Sequence, residues 1–445
     1  MSRKVVLFLP VLAWALPALP QAPPAGPLTL RRAAELALAR APETAAARAQ
    51  ASEAAAGARS AAAAFRPQAF ATTTPGYSSG LPVAVAGRVP AVFGVEVHQA
   101  LYDPTRRAEA LQAQALAESL EGASALSGSA TARALVLCYA RNWEDRRRIE
   151  NARRELEARE TMLRRVTALA REGRKTDLEV DQAGLEVGRA KQALADRQAE
   201  QDLDRMELAW LVGFPRNEAP EVAEDPLGAL PGPAPGDHLA VARATDPQLA
   251  AQDRQAKALE RAAFLQKRAW LPVIAAEGQY MRLSNYNNFD QYFVKFKSND
   301  WAVGVSVAVP LWTGGRLSQG HAAADARLAK LLADRRARER DLELSVRRAE
   351  ADLAHAQAQF QLAGRALAIS REGLRAAQVL ANEGRGEPDS VDRAEIALAK
   401  AEDDRSQASQ GLLAARARLL EVRGELPSTL LQTAPENGKG EAGKG

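Results

Sequence analysis

The sequence predicts a mainly α-helical protein with a small β part, built from one unit of helix, two strands, long helix and returning helix that is written twice. Three observations predict it. Alanine, arginine, leucine, glutamate and glutamine are abundant while aromatics make up only 5% of the 445 residues, a composition typical of long helices and coiled coils. No proline occurs between Pro104 and Pro215 or between Pro310 and Pro388, so nothing interrupts helices far longer than the globular average. Landmarks of the first half also return in the same order in the second.

At the start, Arg3 and Lys4 precede an apolar run of about 15 residues from Val5, followed by proline and alanine. This order reads as a secretory signal peptide over 1–25; the run is short of the roughly 20 residues that span a bilayer. No cysteine follows it to carry a lipid anchor, and the one cysteine, Cys138, sits in a helical pattern as a small buried residue.

The first repeat is expected over 27–214, with strands at about 68–79 and 91–102 and helices at about 104–171 and 177–213. Asp103 is a good N-cap with proline behind it, and a helix from there to about 170 is roughly 100 Å long at 1.5 Å per residue. Residues 215–236, rich in proline, glycine and acids without periodicity, read as a connector and not a core. The second repeat follows over 237–426, with strands at about 272–283 and 300–311 and helices at about 315–382 and 388–424. Its landmarks fix the duplication: Ala64-Phe65-Arg66-Pro67 returns as Ala269-Trp270-Leu271-Pro272 after 205 positions. Phe93 to Val97 and Leu101-Tyr102 return as Val303 to Val307 and Leu311-Trp312 after 210, and Glu172-Gly173-Arg174 returns as Glu383-Gly384-Arg385 after 211. Residues 427–445 end in Gly, Lys and Glu with nothing to bury and are expected to be a disordered tail.

Heptads run through the long helices. Val346, Leu353, Phe360, Leu367 and Leu374 stand seven apart with Ala349, Ala356 and Ala363 between them, and Ile149, Leu156 and Leu163 repeat the pattern in the first copy. Val391, Leu398, Leu412 and Leu419 over Ala394, Ala401, Ala408 and Ala415 do the same in the last returning helix. A seam of large residues and alanine lets antiparallel helices approach closely. Heptads alone suit a periplasmic tethering coiled coil equally well; the duplicated strand pairs do not.

The strands alternate. Trp301, Val303, Val305 and Val307 share one face, as do Phe93, Val95 and Val97, with small or polar residues between them, the pattern of lipid-facing positions in transmembrane β-strands. Of 22 aromatics, 15 lie between Phe65 and Tyr102 or between Phe264 and Trp312, around these strands, which fits interfacial girdles. Four strands cannot close a barrel and open edges are not tolerated in lipid, so the chain must oligomerise to span.

Composition also excludes. The net charge is only +4 despite a pI of 9.2, and acids and bases alternate along the same segments, as on salt-bridged helix faces and unlike a phosphate-binding stripe. Nucleic-acid binding is therefore not expected. None of the four histidines stands at metal-ligand spacing, and no phosphate loop or nucleophile elbow occurs, so no metal, cofactor or catalysis is expected.

The run Leu28-Thr29-Leu30-Arg31-Arg32-Ala33-Ala34-Glu35-Leu36 with Ala41-Pro42-Glu43, the approaches Phe65-Arg66-Pro67 and Trp270-Leu271-Pro272, and Val309-Pro310-Leu311-Trp312-Thr313-Gly314-Gly315-Arg316 resemble TolC-like outer membrane efflux proteins over roughly 27–426. The resemblance implies a homotrimer whose 12 strands form one outer-membrane barrel continuing into a long α-helical periplasmic tunnel. It implies a passive exit duct of a tripartite efflux pump or type I secretion system, partnered by a periplasmic adaptor, an inner-membrane efflux or ABC transporter, and outer-membrane lipid. It places the periplasmic tip, gate and adaptor contact in the two helix-to-helix turns, at Gly173, Arg174, Lys175, Asp177 and Glu179 and at Gly384, Arg385, Glu387, Asp389 and Asp392. Two features depart from the family: Gly173 is followed by basic and not apolar residues, and Ser390 and Arg393 stand where some members carry entrance aspartates. The basic first turn and acidic second turn lead to the expectation of a tip held shut by charge pairing between them.

Overall fold

The computed structural model describes residues 26–73, 92–215, 221–283, 299–387 and 389–432. The expected signal peptide, the far end of the first strand, the aromatic-rich segment 284–298 and residues 433–445 lie outside them. In chain order the elements are α1 Leu30–Arg40, α2 Pro42–Ala63, β1 Gln68–Thr73, β2 Val92–Tyr102, α3 Pro104–Arg171, α4 Asp177–Val212 and α5 Pro226–Ala229. They continue as α6 His238–Thr245, α7 Pro247–Gln266, β3 Val273–Leu283, β4 Asn299–Ala308, α8 Arg316–Asn382, α9 Ser390–Val422 and α10 Leu426–Gln432.

The helix of 68 residues, α3, starts as its sequence dictates: the Asp103 carboxylate accepts the Arg106 N–H at 3.0 Å and Pro104 occupies the first turn, where its missing N–H costs nothing. Its counterpart α8, of 67 residues, is entered differently, through Gly314 and Gly315 at φ 59° and 84° with no side-chain cap. Only glycine adopts such angles in succession without strain. Strand β4 ends at Ala308 and not at 311, because Pro310 has no N–H to give the ladder.

The heptad seam holds along α8. Val346 and Ala349 are buried, and Leu353, Ala356, Phe360, Ala363, Leu367 and Leu374 are half-buried among exposed neighbours. The seam packs on α9, where Leu412, Ala415 and Leu419 are buried, and α3 and α4 form the equivalent antiparallel pair. Side by side, α2 and α4 make one column, α3 a second, α7 and α9 a third and α8 a fourth.

Two boundaries differ from expectation. The connector enters the core: Leu28 bridges Val222 in parallel, Leu230 is fully buried, and Val222 and Leu227 pack beside it. Its apolar residues serve a helical bundle from irregular backbone, so no periodicity announces them. Likewise the ordered chain runs past 427, since Leu426 and Leu430, one helical turn apart, insert into the same cluster as Leu135, Tyr139, Leu208 and Leu420. Cys138 is buried there too, and burial pushes its thiol pKa up.

Tyr139 clasps this region. Its hydroxyl donates to the Leu28 carbonyl at 2.7 Å and accepts from the N–H groups of Ala223 at 3.2 Å and Glu224 at 3.4 Å. One phenol thus ties the start of the described chain to the connector.

Candidate functional site: a two-faced sheet and a helical tip

The four strands form one antiparallel sheet in the order β1-β2-β3-β4. Gln68 pairs with His98 in the first hairpin and Val273 with Ala308 in the second, so the 205 and 210 offsets of the sequence are also the offsets of the register. Residues directly opposite one another share a face. The register therefore lines up Ala71, Val95, Tyr280 and Trp301 in one row, Ala69, Val97, Gly278 and Val303 in the next, then Gln99, Ala276 and Val305. Ile274 and Val307 close that face. Every strand position predicted to be apolar falls on it, and Phe93 lies at its far end opposite Arg282.

In the single chain this face is bare. Trp301, Val303, Val305 and Val307 are 73%, 79%, 63% and 61% exposed. On the reverse face Glu96, His98, Glu277, Gln279 and Ser306 come together; Ser306 Oγ donates to Glu277 at 2.9 Å and the His98 ring lies 3.8 Å from the same carboxylate. No lysine or arginine stands on that face among the described residues. The polar members on β3, Glu277 and Gln279, were not singled out from sequence, although their alternation with Ala276, Gly278 and Tyr280 carries the same period of two.

Both sheet edges are unpaired: β1 on one side, β4 on the other. The helical part has the same two edges, the column of α2 and α4 and the column of α8. Each exposes leucine-type residues seven apart, Leu178 and Leu185 on α4 at 64% and 55%, Leu362 and Ile369 on α8 at 58% and 73%.

At the other end of the long helices lie the two predicted turns. Gly173 at φ 74° and Gly384 at φ 68° each terminate a helix in the left-handed region, and the next residue's N–H, of Arg174 or Arg385, returns to the carbonyl of Leu169 or Leu380 at 2.9 Å. The second helix of the first pair is capped by Thr176, which forms a reciprocal box with Glu179, while Asp177 is the first helical residue. Asp389 precedes α9 without a capping bond and instead accepts from Arg393 at 3.0 Å.

Charges within each turn pair locally. Lys175 binds Glu179 at 2.7 Å and holds its carboxyl down to about 2, and Arg174 faces Glu172 at 3.6 Å. In the second turn Arg385 faces Glu383 at 3.4 Å, and Glu387 and Asp389 both meet Arg393. Among the described residues of one chain, no ion pair joins the two turns directly. Of several ion pairs between the repeats, the one nearest these turns joins the buried Asp392 carboxylate to Arg165 of α3 at 2.5 Å, with Arg154–Glu402 and Arg148–Asp403 further along. Burial raises the Asp392 pKa, and the Arg165 charge opposes that rise.

Among the described residues no helix is long and apolar enough to cross a membrane, and no cluster of side chains could hold a metal ion. What the chain offers a membrane is the sheet, one face apolar and one polar; what it offers water is a bundle of helices about 100 Å long. That combination defines a fold class: a duplicated long-helix bundle with a pair of strands in each repeat.

Residues 239–425, the second repeat, match the family model described as outer membrane efflux protein. Solved structures with the same fold include the outer-membrane channel OprN, 18% identical, with 89% of this chain and 90% of that one covered at a TM-score of 0.70. VceC from Vibrio cholerae, 18% identical, covers 89% and 96% at 0.68, and the Campylobacter jejuni outer membrane channel CmeC, 12% identical, covers 89% and 85% at 0.72. No curated protein sequence matches. The second repeat thus matches the outer membrane efflux protein model in sequence, and the chain as a whole shares the fold of these solved outer-membrane channels.

Proposed function

We propose that three copies of this chain close a 12-stranded barrel and a twelve-column tunnel, and that the assembly is the passive exit duct of a tripartite efflux pump or type I secretion system. The observation that carries this reading is the sheet: an exposed apolar face, a polar reverse face and two free edges in one element. A contiguous bare apolar face is rare on a water-soluble surface and open edges invite pairing. Lipid against one face, water against the other and a second copy at each edge satisfy all three.

The helical edges support the same closure, since the α4 and α8 leucine stripes are the unused halves of heptad seams. The tip turns then ring the far mouth, where a periplasmic adaptor would meet them and an inner-membrane transporter would deliver cargo. Planar-bilayer recording on purified protein tests the duct directly: stepwise conductance is expected, with a mass of three chains in detergent. A folded monomer without conductance, released from membranes by carbonate, would instead favour a periplasmic tether.

A further inference from the structure

We propose that a basic pocket between α3, α4 and the connector binds an oxyanion of the phosphate or carboxylate type; the inference does not depend on the export reading. The cavity is about 250 Å³ and is lined by Trp143, Arg146, Arg147, Arg205 and Glu221, among others. Three guanidinium groups face one carboxylate. Arg146 uses that carboxylate, meeting Glu221 at 2.9 Å. Arg147 lies over the Trp143 ring with its guanidinium carbon 5.5 Å from the ring centre, a contact that orients it without neutralising it. Among the described residues, neither Arg147 nor Arg205 has a carboxylate at ion-pair distance; the Arg147 charge acts on Glu144, but that carboxylate is buried and accepts from Ser406 at 3.0 Å, so both guanidinium groups remain open to an anion.

The duplication separates this pocket from an ordinary solvated helix face. At the 211 offset Trp143, Arg146 and Arg147 correspond to Ala354, Gln357 and Ala358, and Arg205 to Arg416. The second repeat thus builds the same helix pair with alanines where the first has the tryptophan and an arginine, so packing does not require the cluster. The shared arginine also differs in what it holds. Arg416 donates to the carbonyls of Leu227 at 3.1 Å and Leu230 at 3.5 Å, fastening the connector, whereas Arg205 opens onto the cavity.

Planar guanidinium forks match the oxygens of phosphate and carboxylate two at a time, which a lysine ammonium does not. A cavity of about 250 Å³ has room for one such group with a short substituent. A free small anion and an anionic polymer present the same chemistry, and the experiment tells them apart.

Full-length protein in detergent would be titrated calorimetrically with inorganic phosphate and with polyphosphate, each against chloride at matched ionic strength. Saturable binding at one site per chain is expected, weakened at least about tenfold by Arg205→Gln or Arg147→Gln and left intact by Arg416→Gln. Circular dichroism confirms that each variant is folded. Binding of free phosphate assigns a small anion, and binding of the polymer alone assigns a polyanion, provided the arginine variants lose it. Equal heats with chloride, or an unchanged affinity in the folded double variant Arg147→Gln/Arg205→Gln, overturn the proposal.

Discussion

Arginine at Val303 should block assembly, and arginine at Ser306 should not. Val303 is the fifth of ten residues of β4, so at about 3.4 Å per residue it lies roughly 14 Å from the strand's start and 17 Å from its end, close to mid-height. It is 79% exposed on the apolar face opposite Gly278. A guanidinium near the bilayer midplane of a barrel costs about 2–4 kcal/mol, and three copies make about 6–12 kcal/mol, as much as the whole stability of many domains. Val305→Arg, two residues nearer the end, should cost less because the penalty falls towards the interface. Ser306→Arg points to the other face, where Glu277, now bonded to the serine at 2.9 Å, would accept the new charge. Outer-membrane fractions and native mass in detergent read the outcome for all three variants. The face assignment is wrong if Ser306→Arg reduces trimer as much as Val303→Arg, or if Val305→Arg is the worst of the set.

Other perturbations test the helical part. Tyr139→Phe keeps the buried ring but removes its hydroxyl's three hydrogen bonds, while the Leu28 carbonyl and the Ala223 N–H still pair with each other at 2.9 Å, for an expected loss of about 1 kcal/mol; an unchanged thermal melt refutes the clasp. Burial, reinforced by the Asp204 carboxylate, pushes the Asp145 carboxyl up to about 7. The folded chain therefore keeps a proton that the unfolded chain releases near pH 4, and stability falls as pH rises from about 4 to 7, by on the order of a few kcal/mol. Asp145→Asn should flatten that fall and raise the melting temperature at pH 8 over that of the parent, and identical pH profiles would count against it. At the tip, Arg165→Ala strands the buried Asp392 and should loosen the link between repeats by about 1–3 kcal/mol, raising single-channel conductance. Arg174→Gln with Lys175→Gln should change it less, because both charges are already answered within their own turn; the reverse order would restore the idea of a gate formed between the turns.

What was legible in the sequence was whatever repeats. The Asp103-Pro104 start, the glycines that stop α3 and α8, and the seam from Val346 to Leu374 are periodic or obey local capping chemistry, and they stand where the pattern puts them. The alternation of β4 was equally readable from Trp301 to Val307. Leu230 and Leu430 were not: each is a lone apolar residue in an irregular or terminal segment whose partners lie far along the chain. The two helix-to-helix turns were located by their glycines, but their pairing was not, because charge signs in a sequence do not say whether Lys175 turns to Glu179 beside it or to an acid in the other turn. The geometry answers for one chain, and the Arg165–Asp392 contact, 227 positions apart, had no local signature at all.

The equality of offsets in sequence and register has a consequence for symmetry. If each repeat is one of six quasi-equivalent staves around a ring, the joint between repeats inside a chain, β2 against β3, is a template for the joint between chains, β4 against β1. Inside, Val97 stands opposite Gly278. Advancing the first by 210 and setting the second back by 205 places Val307 opposite Thr73 of a second copy, a pairing that cysteines at the two positions would trap as an intermolecular disulfide. A crosslink at a shifted pair would mean that the internal joint is not the template. If the template holds, every stave is held by the same backbone ladder, and the differences between the repeats, among them a basic and an acidic turn and a single Trp143 cluster, are what lower a sixfold frame to threefold.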